Sequence, residues 1–288
     1  HPDHFNPAYL LNEKIKNKII EKKIVFIFQM TKDKRVVNFL RTKGFKCLEF
    51  NESKNNINED IEIQIVKHDF YDSSISIKTP DTKILNLNDC PLRDVSEIKK
   101  FKKKYGKFDV LLTQFSYAAW KGGENGKAIR ENAAKEKLLD ISNQTKILEC
   151  KKVIPFASYI YFSNELNFYM NDSVNTPQEV CKYLTNNSLN PIIMRPGEKQ
   201  YLNELKQEKS SIEFWQDKFI FNKENKSLDT YKKNYTTEDI QNDFIKYQKK
   251  IFSKNSKFLI YFLHKFNFLG AFQKINILFI DSKKNYEY

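Results

Sequence analysis

The sequence predicts an α/β layered domain over residues 1–200 and a mostly helical extension over residues 201–288. Short apolar runs of strand length alternate with segments of helical periodicity through the first part, a pattern typical of layered α/β domains. The pattern becomes polar and mainly helical after Arg195-Pro196-Gly197-Glu198. A hydrophobic fraction of 40% over 288 residues provides enough apolar side chain for a core, which excludes wholesale disorder.

The predicted strands are apolar or alternating segments. The continuous apolar run over 24–28 indicates a strand buried on both faces, whereas the alternation over 61–66 predicts a half-buried strand. The other predicted strands are 47–50, 74–78, 83–87, 110–113, 153–156, 191–194 and 275–280.

The predicted helices carry apolar residues three and four positions apart. They are 7–22, 34–43, 95–105, 128–148 and 177–185. Gly44 and Gly106 follow two of them directly and are typical helix stops. In the extension, Thr236 followed three residues later by Asp239 indicates a helix start.

The formal charge is +13 and the pI is near 9.3. A basic chain suggests nucleic-acid binding, but most of the excess positive charge comes from lysine. Arginine is the residue that forms bidentate hydrogen bonds with bases and phosphates. We therefore expect most lysines to cover solvated helix faces. A basic nucleic-acid-binding protein or nuclease remains an alternative, and the charge is equally compatible with an anionic small-molecule substrate.

Several classes of protein are excluded by what the sequence lacks. Seven glycines form no phosphate-binding loop of the dinucleotide or P-loop type. The apolar run 258–263 is far shorter than the roughly 20 residues of a membrane span, so no membrane partner is expected. Four widely spaced cysteines suit reduced thiols and predict a cytoplasmic location. Cys90, beside an acid, is expected to be a packing residue.

The opening segment His1-Pro2-Asp3-His4 holds two imidazoles and a carboxylate in a short loop. These are ligand types for zinc, iron or manganese, and a metal ion lowers the pKa of bound water to about 7. The alternative interpretation is a disordered terminal tail or the end of an expression tag. Asp89 follows the predicted strand 83–87, where α/β sheets present their ligands. A turn aspartate is the alternative there.

The downstream stretches 84–90, 108–120 and 153–177 complete a resemblance. With the opening segment, they resemble the metallo-β-lactamase superfamily, whose H-x-H-x-D-H loop binds two metals. The similar branch contains the ascorbate-6-phosphate lactonases and the non-Rieske part of the CMP-N-acetylneuraminate hydroxylases. The resemblance covers residues 1 to about 200 and implies a layered αββα sandwich. Because the first His of the motif would precede His1, the chain is expected to be truncated at its N-terminus.

The resemblance also implies a ligand set for one or two divalent ions. His1, Asp3 and His4 match the second His, the Asp and the third His of the loop, with Asp3 also placed in the catalytic machinery. Asp89 would be a bridging carboxylate. His68 would be a further imidazole ligand, although a structural histidine is an equal alternative. The superfamily's late His has no counterpart in 162–167, so Asn164 or Glu165 replaces it, or the second site is weak, or one metal binds.

Polar side chains among aromatic residues are candidates for binding a sugar-like or phosphorylated substrate, or for structural roles. They are Gln114, Trp120, Tyr161, Asn164, Asn167 and Asn171.

Three functions remain open. The first is a metal-dependent hydrolase whose metal-bound hydroxide attacks a lactone, ester or phosphoester of a sugar-derived anionic substrate, with this fragment inactive by itself. The second is the metal-binding or substrate domain of an oxidoreductase similar to CMP-N-acetylneuraminate hydroxylase. It would need a Rieske-type redox partner, because paired Cys-x-His and Cys-x-x-His motifs are absent. The third is the nucleic-acid-binding protein. The extension could pack on the first domain, form a homo-oligomer, or be the start of a small lipid-carrier-like module.

Overall fold

The computed structural model describes residues 5–68, 72–224, 236–266, 276–279 and 284–287. The chain divides into two compact units, His1–Thr230 and Tyr231–Tyr288. The first is a mixed α/β unit and the described part of the second is mainly helical, so the predicted fold class is confirmed. No helix among these residues is both long and apolar enough to cross a membrane.

The helices of the first unit are α1 Pro7–Leu11, α2 Glu13–Glu21, α3 Arg35–Thr42, α4 Val95–Tyr105, α5 Lys127–Ile147, α6 Pro177–Asn186 and α7 Lys209–Glu224. Its strands are β1 Val25–Gln29, β2 Lys46–Phe50, β3 Lys54–Asn56, β4 Glu62–Lys67, β5 Ser73–Lys78, β6 Lys83–Asn88, β7 Val110–Thr113 and β8 Lys152–Pro155. The described residues of this unit also form two short 3-10 helices, Glu165–Asp172 and Leu202–Glu204.

Strands β3 to β8 form a six-stranded sheet in sequence order, and β1 pairs separately with β2 in parallel. Neighbours from β3 to β6 are antiparallel, whereas β6, β7 and β8 are parallel. Strands β4, β6, β7 and β8 therefore end at one edge of the sheet, where β5 begins. We call it the carboxyl edge, and define it by His68, Asp89, Gln114 and Phe156, the residues that directly follow these four strands.

The main core lies between the sheet and helices α4, α5 and α6. Leu85, Leu111 and Val153 point into it from three neighbouring strands and are fully buried. Ile98 and Ile141 pack against them from the helices. A second, smaller core joins α3 to β1 and β2. The opposite face of β6 is thereby left to line a cavity.

Most predicted elements are confirmed, and α4 and β7 have the predicted bounds. The single helix over 7–22 is wrong, because Asn12 separates two helices and its side chain caps the second. The expectation of a strand buried on both faces at 24–28 is also wrong, since every residue of β1 is half-buried. The predicted strand 191–194 is reduced to an isolated bridge between Pro191 and Val153.

Residues just beyond the expected boundary near 200 pack within the first unit. The Trp215 indole stacks on Tyr159 with ring centroids 4.1 Å apart, and its Nε1–H donates to the Met194 carbonyl at 2.9 Å. Lys152 Nζ donates to the Leu205 carbonyl at 2.9 Å. Helix α7 is thus attached to the layered part of the chain.

The second unit contains α8 Thr237–Lys254, α9 Lys257–Lys265 and the antiparallel strands β9 Asn276–Phe279 and β10 Lys284–Glu287. Thr236 and Asp239 form a reciprocal capping box at the start of α8, as their spacing predicts.

Candidate functional site

The pairing register brings the predicted Asp89 and His68 to one edge of the sheet. Ser73, the first residue of β5, pairs with Lys67, and Asn88 at the end of β6 pairs with Thr113. His68 and Asp89 directly follow two of these residues. They stand two strands apart, a separation of about 10 Å at the usual strand spacing.

A cavity of about 640 Å³ lies against this edge, between β1 and α3 on one side and β4, β5 and β6 on the other. Its volume is within the range of small-molecule sites. Its lining mixes amide, hydroxyl and charged groups with apolar side chains. The lining residues are Phe5, Ile27, Phe28, Gln29, Thr31, Asp33, Arg35, Val36, Ile65, Ser73, Ser74, Ile75, Asn86, Asn88 and Phe156.

Two lining residues are chain neighbours of predicted metal ligands. Phe5, which directly follows His4, lines the cavity, and so does Asn88, which directly precedes Asp89. Asn88 has a φ of 52°, a left-handed turn that asparagine tolerates well, and Asp89 therefore leaves the strand at a sharp turn. Phe5 and the end of β6 thus both lie at one cavity.

His68 is held by contacts on the helical side of the sheet. Its Nε2 is 2.8 Å from the Ser74 hydroxyl, and its ring stacks on Phe101 of α4 at 5.9 Å with an interplanar angle of 13°. Its backbone N–H donates to the Asp72 carbonyl at 2.9 Å. These contacts give His68 a structural role, and its role as a metal ligand stays a prediction.

The Cys90 thiol is buried beside two carboxylates that affect its pKa. Burial, together with the charges of Asp72 and Asp89, raises the pKa of this thiol to about 12. A thiol with so high a pKa is protonated at neutral pH, which supports the expected packing role over a nucleophilic one.

The metal-ligand set is incomplete within the described residues. No three His, Cys, Asp or Glu side chains come together there as a metal site would require. His1, Asp3 and His4 lie outside the described residues. Of the five predicted ligands, the described part contains His68 and Asp89, so the predicted centre depends on the first four residues.

A lysine that sequence reasoning missed lies near Asp89. Lys137 of α5 is half-buried, and its ammonium donates a hydrogen bond to Gln114 Oε1 at the carboxyl edge. Burial lowers the pKa of Lys137 to about 8, with Arg93 adding to the effect and the Asp140 and Asp89 charges opposing it. An amine with a pKa near neutrality at a strand edge is typical of functional sites.

The signal for this lysine was present in the helical pattern. Helix α5 and its C-cap residue Leu148 turn one stripe of residues inward, namely 130, 134, 137, 141, 144 and 148. Arg130, Lys137 and Gln144 are polar residues on that otherwise apolar stripe. Gln144 accepts from Thr113 Oγ1 at 2.8 Å and donates to the Leu92 carbonyl at 2.7 Å. A polar residue at an inward position predicts such a partner.

Most of the predicted substrate-binding residues have structural partners. Tyr161 donates to the Asn222 carbonyl at 3.0 Å. Asn164 caps the 3-10 helix Glu165–Asp172 by accepting from the Leu166 N–H at 2.9 Å. Asn171 accepts from the Phe162 N–H at 2.8 Å. Substrate binding by these three residues stays a prediction.

Trp120 and Asn167 differ from them. The Trp120 side chain is 68% exposed, and its Nε1–H donates to the Tyr169 hydroxyl at 3.2 Å. Asn167 Oδ1 is buried and accepts no hydrogen bond from the residues that the structure describes. Neither residue lines the cavity at the carboxyl edge.

Comparison with known proteins adds partial structural similarities. No family model matches the chain, and no curated protein matches it. CmlA, a diiron β-hydroxylase from Streptomyces venezuelae, is 10% identical over 57% of this chain and 37% of its own, with a TM-score of 0.40. A proposed Zn-dependent hydrolase of the metallo-β-lactamase superfamily from Thermotoga maritima is 15% identical over 50% of this chain and 64% of its own, with a TM-score of 0.28.

The metallo-β-lactamase fold protein YhfI from Bacillus subtilis is 9% identical over 58% of this chain and 63% of its own, with a TM-score of 0.35. This chain therefore spans less than two thirds of each of these three structures. Because every TM-score is below 0.5, we draw no conclusion about activity from them.

Proposed function

We propose that this chain belongs to a metal-dependent hydrolase acting on a small anionic, sugar-derived substrate at the carboxyl edge. His1, Asp3, His4 and Asp89 would hold the ion. The observation that carries the proposal is the shared cavity, since the residue after His4 and the residue before Asp89 both line it. When bound, a divalent ion supplies an acidified water and stabilises developing negative charge.

The lining of the cavity suits a hydroxyl-rich ligand. Ser73, Asn86 and Gln29 present hydroxyl and amide groups along three strands. Phe28 and Phe156 supply apolar surface that excludes water from part of the cavity. Few polar groups on an apolar lining are typical of small-molecule sites, and amides and hydroxyls both donate to and accept from sugar hydroxyls.

The charges at this edge favour an anion beside the carboxylates. Arg93 lies 3.6 Å from Asp140, and Lys137 donates to Gln114 close to Asp89. These two cations offset the carboxylates that a metal centre needs.

The test is hydrolysis of a panel of sugar lactones, carboxylic esters and phosphoesters by the full-length natural chain with Zn²⁺, Mn²⁺ or Fe²⁺. We expect one class to be turned over, with kcat reduced at least about 100-fold by Asp89→Asn, the loss typical of a disturbed ligand sphere. Asn86→Leu should mainly raise KM. Asn132→Leu, at an exposed position of α5, is the matched control and should change neither constant.

Absence of turnover for all three classes with every metal would contradict the hydrolase proposal. Turnover that Asp89→Asn leaves unchanged would contradict the assignment of the site.

A further inference from the structure

A second cavity lies at the edge of the sheet opposite the carboxyl edge. Its volume is about 330 Å³. It is lined by the ends of β3, β4, β5, β6 and α4, through Lys54, Glu62, Gln64, Lys78, Lys83, Lys104 and Tyr105. We call it the lysine pocket. Four ammonium groups and one carboxylate face it, so its lining carries a net charge of 4 − 1 = +3.

The strand register forces like charges together in this pocket. Lys78 and Lys83 are direct partners in the antiparallel pairing of β5 and β6. Glu62 is opposite Lys78 on the other side and also forms an ion pair with Lys54 at 3.3 Å. Like charges directly opposite each other destabilise a sheet. Among the lining residues, Glu62 is the single carboxylate beside these lysines, and it is already paired with Lys54.

Lys83 is the innermost of the four. Its ammonium donates to the Tyr105 carbonyl and lies 4.5 Å from the centroid of the Phe108 ring. Burial lowers the pKa of Lys83, the charges of Lys54 and Lys78 lower it further, and Glu62 opposes them. Its position is therefore fixed by packing, while Lys54, Lys78 and Lys104 around it are exposed.

We propose that the lysine pocket binds a small phosphate-bearing anion with two or more negative charges, of the size of a diphosphate. Lysine binds phosphate as a compact point charge, and several ammonium groups around one concave site are what such an anion requires. The bound anion removes the repulsion between Lys78 and Lys83. A pocket of this size cannot accommodate a nucleic-acid duplex. Because it lies at the edge of the sheet opposite the carboxyl edge, it is independent of the proposed metal centre.

The experiment measures the binding of inorganic pyrophosphate to the chain by titration calorimetry at constant ionic strength. We expect one saturable site per chain, with weaker binding of inorganic phosphate. The double variant Lys78→Gln/Lys104→Gln should weaken binding at least about tenfold, a loss of about 1.4 kcal/mol. Lys99→Gln/Lys100→Gln removes the same charge from exposed positions of α4 outside the pocket and should leave the affinity unchanged.

Equal losses in the two double variants would overturn the proposal, because net charge alone would then explain binding. Binding of duplex DNA without saturable binding of pyrophosphate would also overturn it. A thermal unfolding scan of both variants checks that they are folded before titration.

Discussion

The guanidinium of Arg130 donates to both carboxylate oxygens of Asp172, from Nε to Oδ1 at 2.8 Å and from Nη2 to Oδ2 at 2.6 Å. Nη1 and Nη2 also donate to the carbonyls of Gly123 and Glu124, respectively. Arg130 is fully buried, whereas the Asp172 side chain is 30% exposed. This pair fastens α5, the loop after β7 and the 3-10 helix Glu165–Asp172 to one another.

Replacing Asp172 with asparagine leaves a buried guanidinium without its counter-charge. Removing one partner of a buried pair costs about 3–5 kcal/mol, and partial exposure of Asp172 reduces the expected loss to about 2–3 kcal/mol of unfolding free energy. Urea unfolding at pH 7 measures it. Glu131→Gln, in an exposed ion pair with Lys127, is the control and should cost less than about 0.5 kcal/mol.

The same pair predicts the behaviour in acid. Hydrogen bonds from Arg130 lower the pKa of Asp172 below its ordinary value. The carboxylate therefore contributes stability above its unfolded pKa, and this contribution is lost as pH falls through the lower folded value. Unfolding free energy measured from pH 6 to pH 2 should fall less steeply in Asp172→Asn than in the wild type. Parallel curves of unfolding free energy against pH for the two proteins would show that the ion pair does not contribute to stability.

Lys137 predicts a further pH dependence, this time at alkaline pH. Burial lowers its pKa to about 8, so the folded chain loses this proton before the unfolded chain does. The unfolded state then binds more protons at this group between the two pKa values, so the contribution of Lys137 to the unfolding free energy rises with pH from about 8 towards 10. Lys137→Met should remove this rise, whereas Lys135→Met, at an exposed position of the same helix, should keep it. Denaturant midpoints across this range provide the measurement.

His68 offers a choice between a structural and a metal-binding role. His68→Phe keeps the stacking on Phe101 and removes the hydrogen bond to Ser74, so we expect a loss of about 1 kcal/mol of unfolding free energy. Ser74→Ala should cost a similar amount, and the double variant little more. A loss of metal affinity in His68→Phe as large as that in Asp89→Asn would instead identify His68 as a ligand.

Local signals explain why some elements could be predicted closely. Helix α4 begins where Asp94 accepts from the N–H groups of Ser96 and Glu97, and it ends at Gly106 with a φ of 82°. Both residues are recognisable in the sequence. The 3-10 helix Glu165–Asp172 has no regular apolar spacing, and no sequence signal predicted it. The burial of β1 could not be predicted either, because an apolar run does not tell what covers it.

The features of the candidate site also divide into those that the sequence could predict and those that it could not. The position of Asp89 after a strand could be predicted from the alternation of strands and helices. Lys137 was missed because one lysine within an amphipathic pattern is usually read as solvated, although its inward position was visible. The partnership of Phe5 with Asn88 in one cavity joins distant parts of the chain, and no local pattern contains it.

The central claim is that the opening segment and Asp89 bind one metal ion together. A double-mutant cycle in the full-length natural chain tests it, with Mn²⁺ affinity measured by calorimetry for His4→Ala, Asp89→Asn and the double variant. We predict that each single change weakens Mn²⁺ binding at least about tenfold and that the double variant loses much less than the sum of both. Strictly additive losses, or wild-type affinity in Asp89→Asn, would contradict a shared centre.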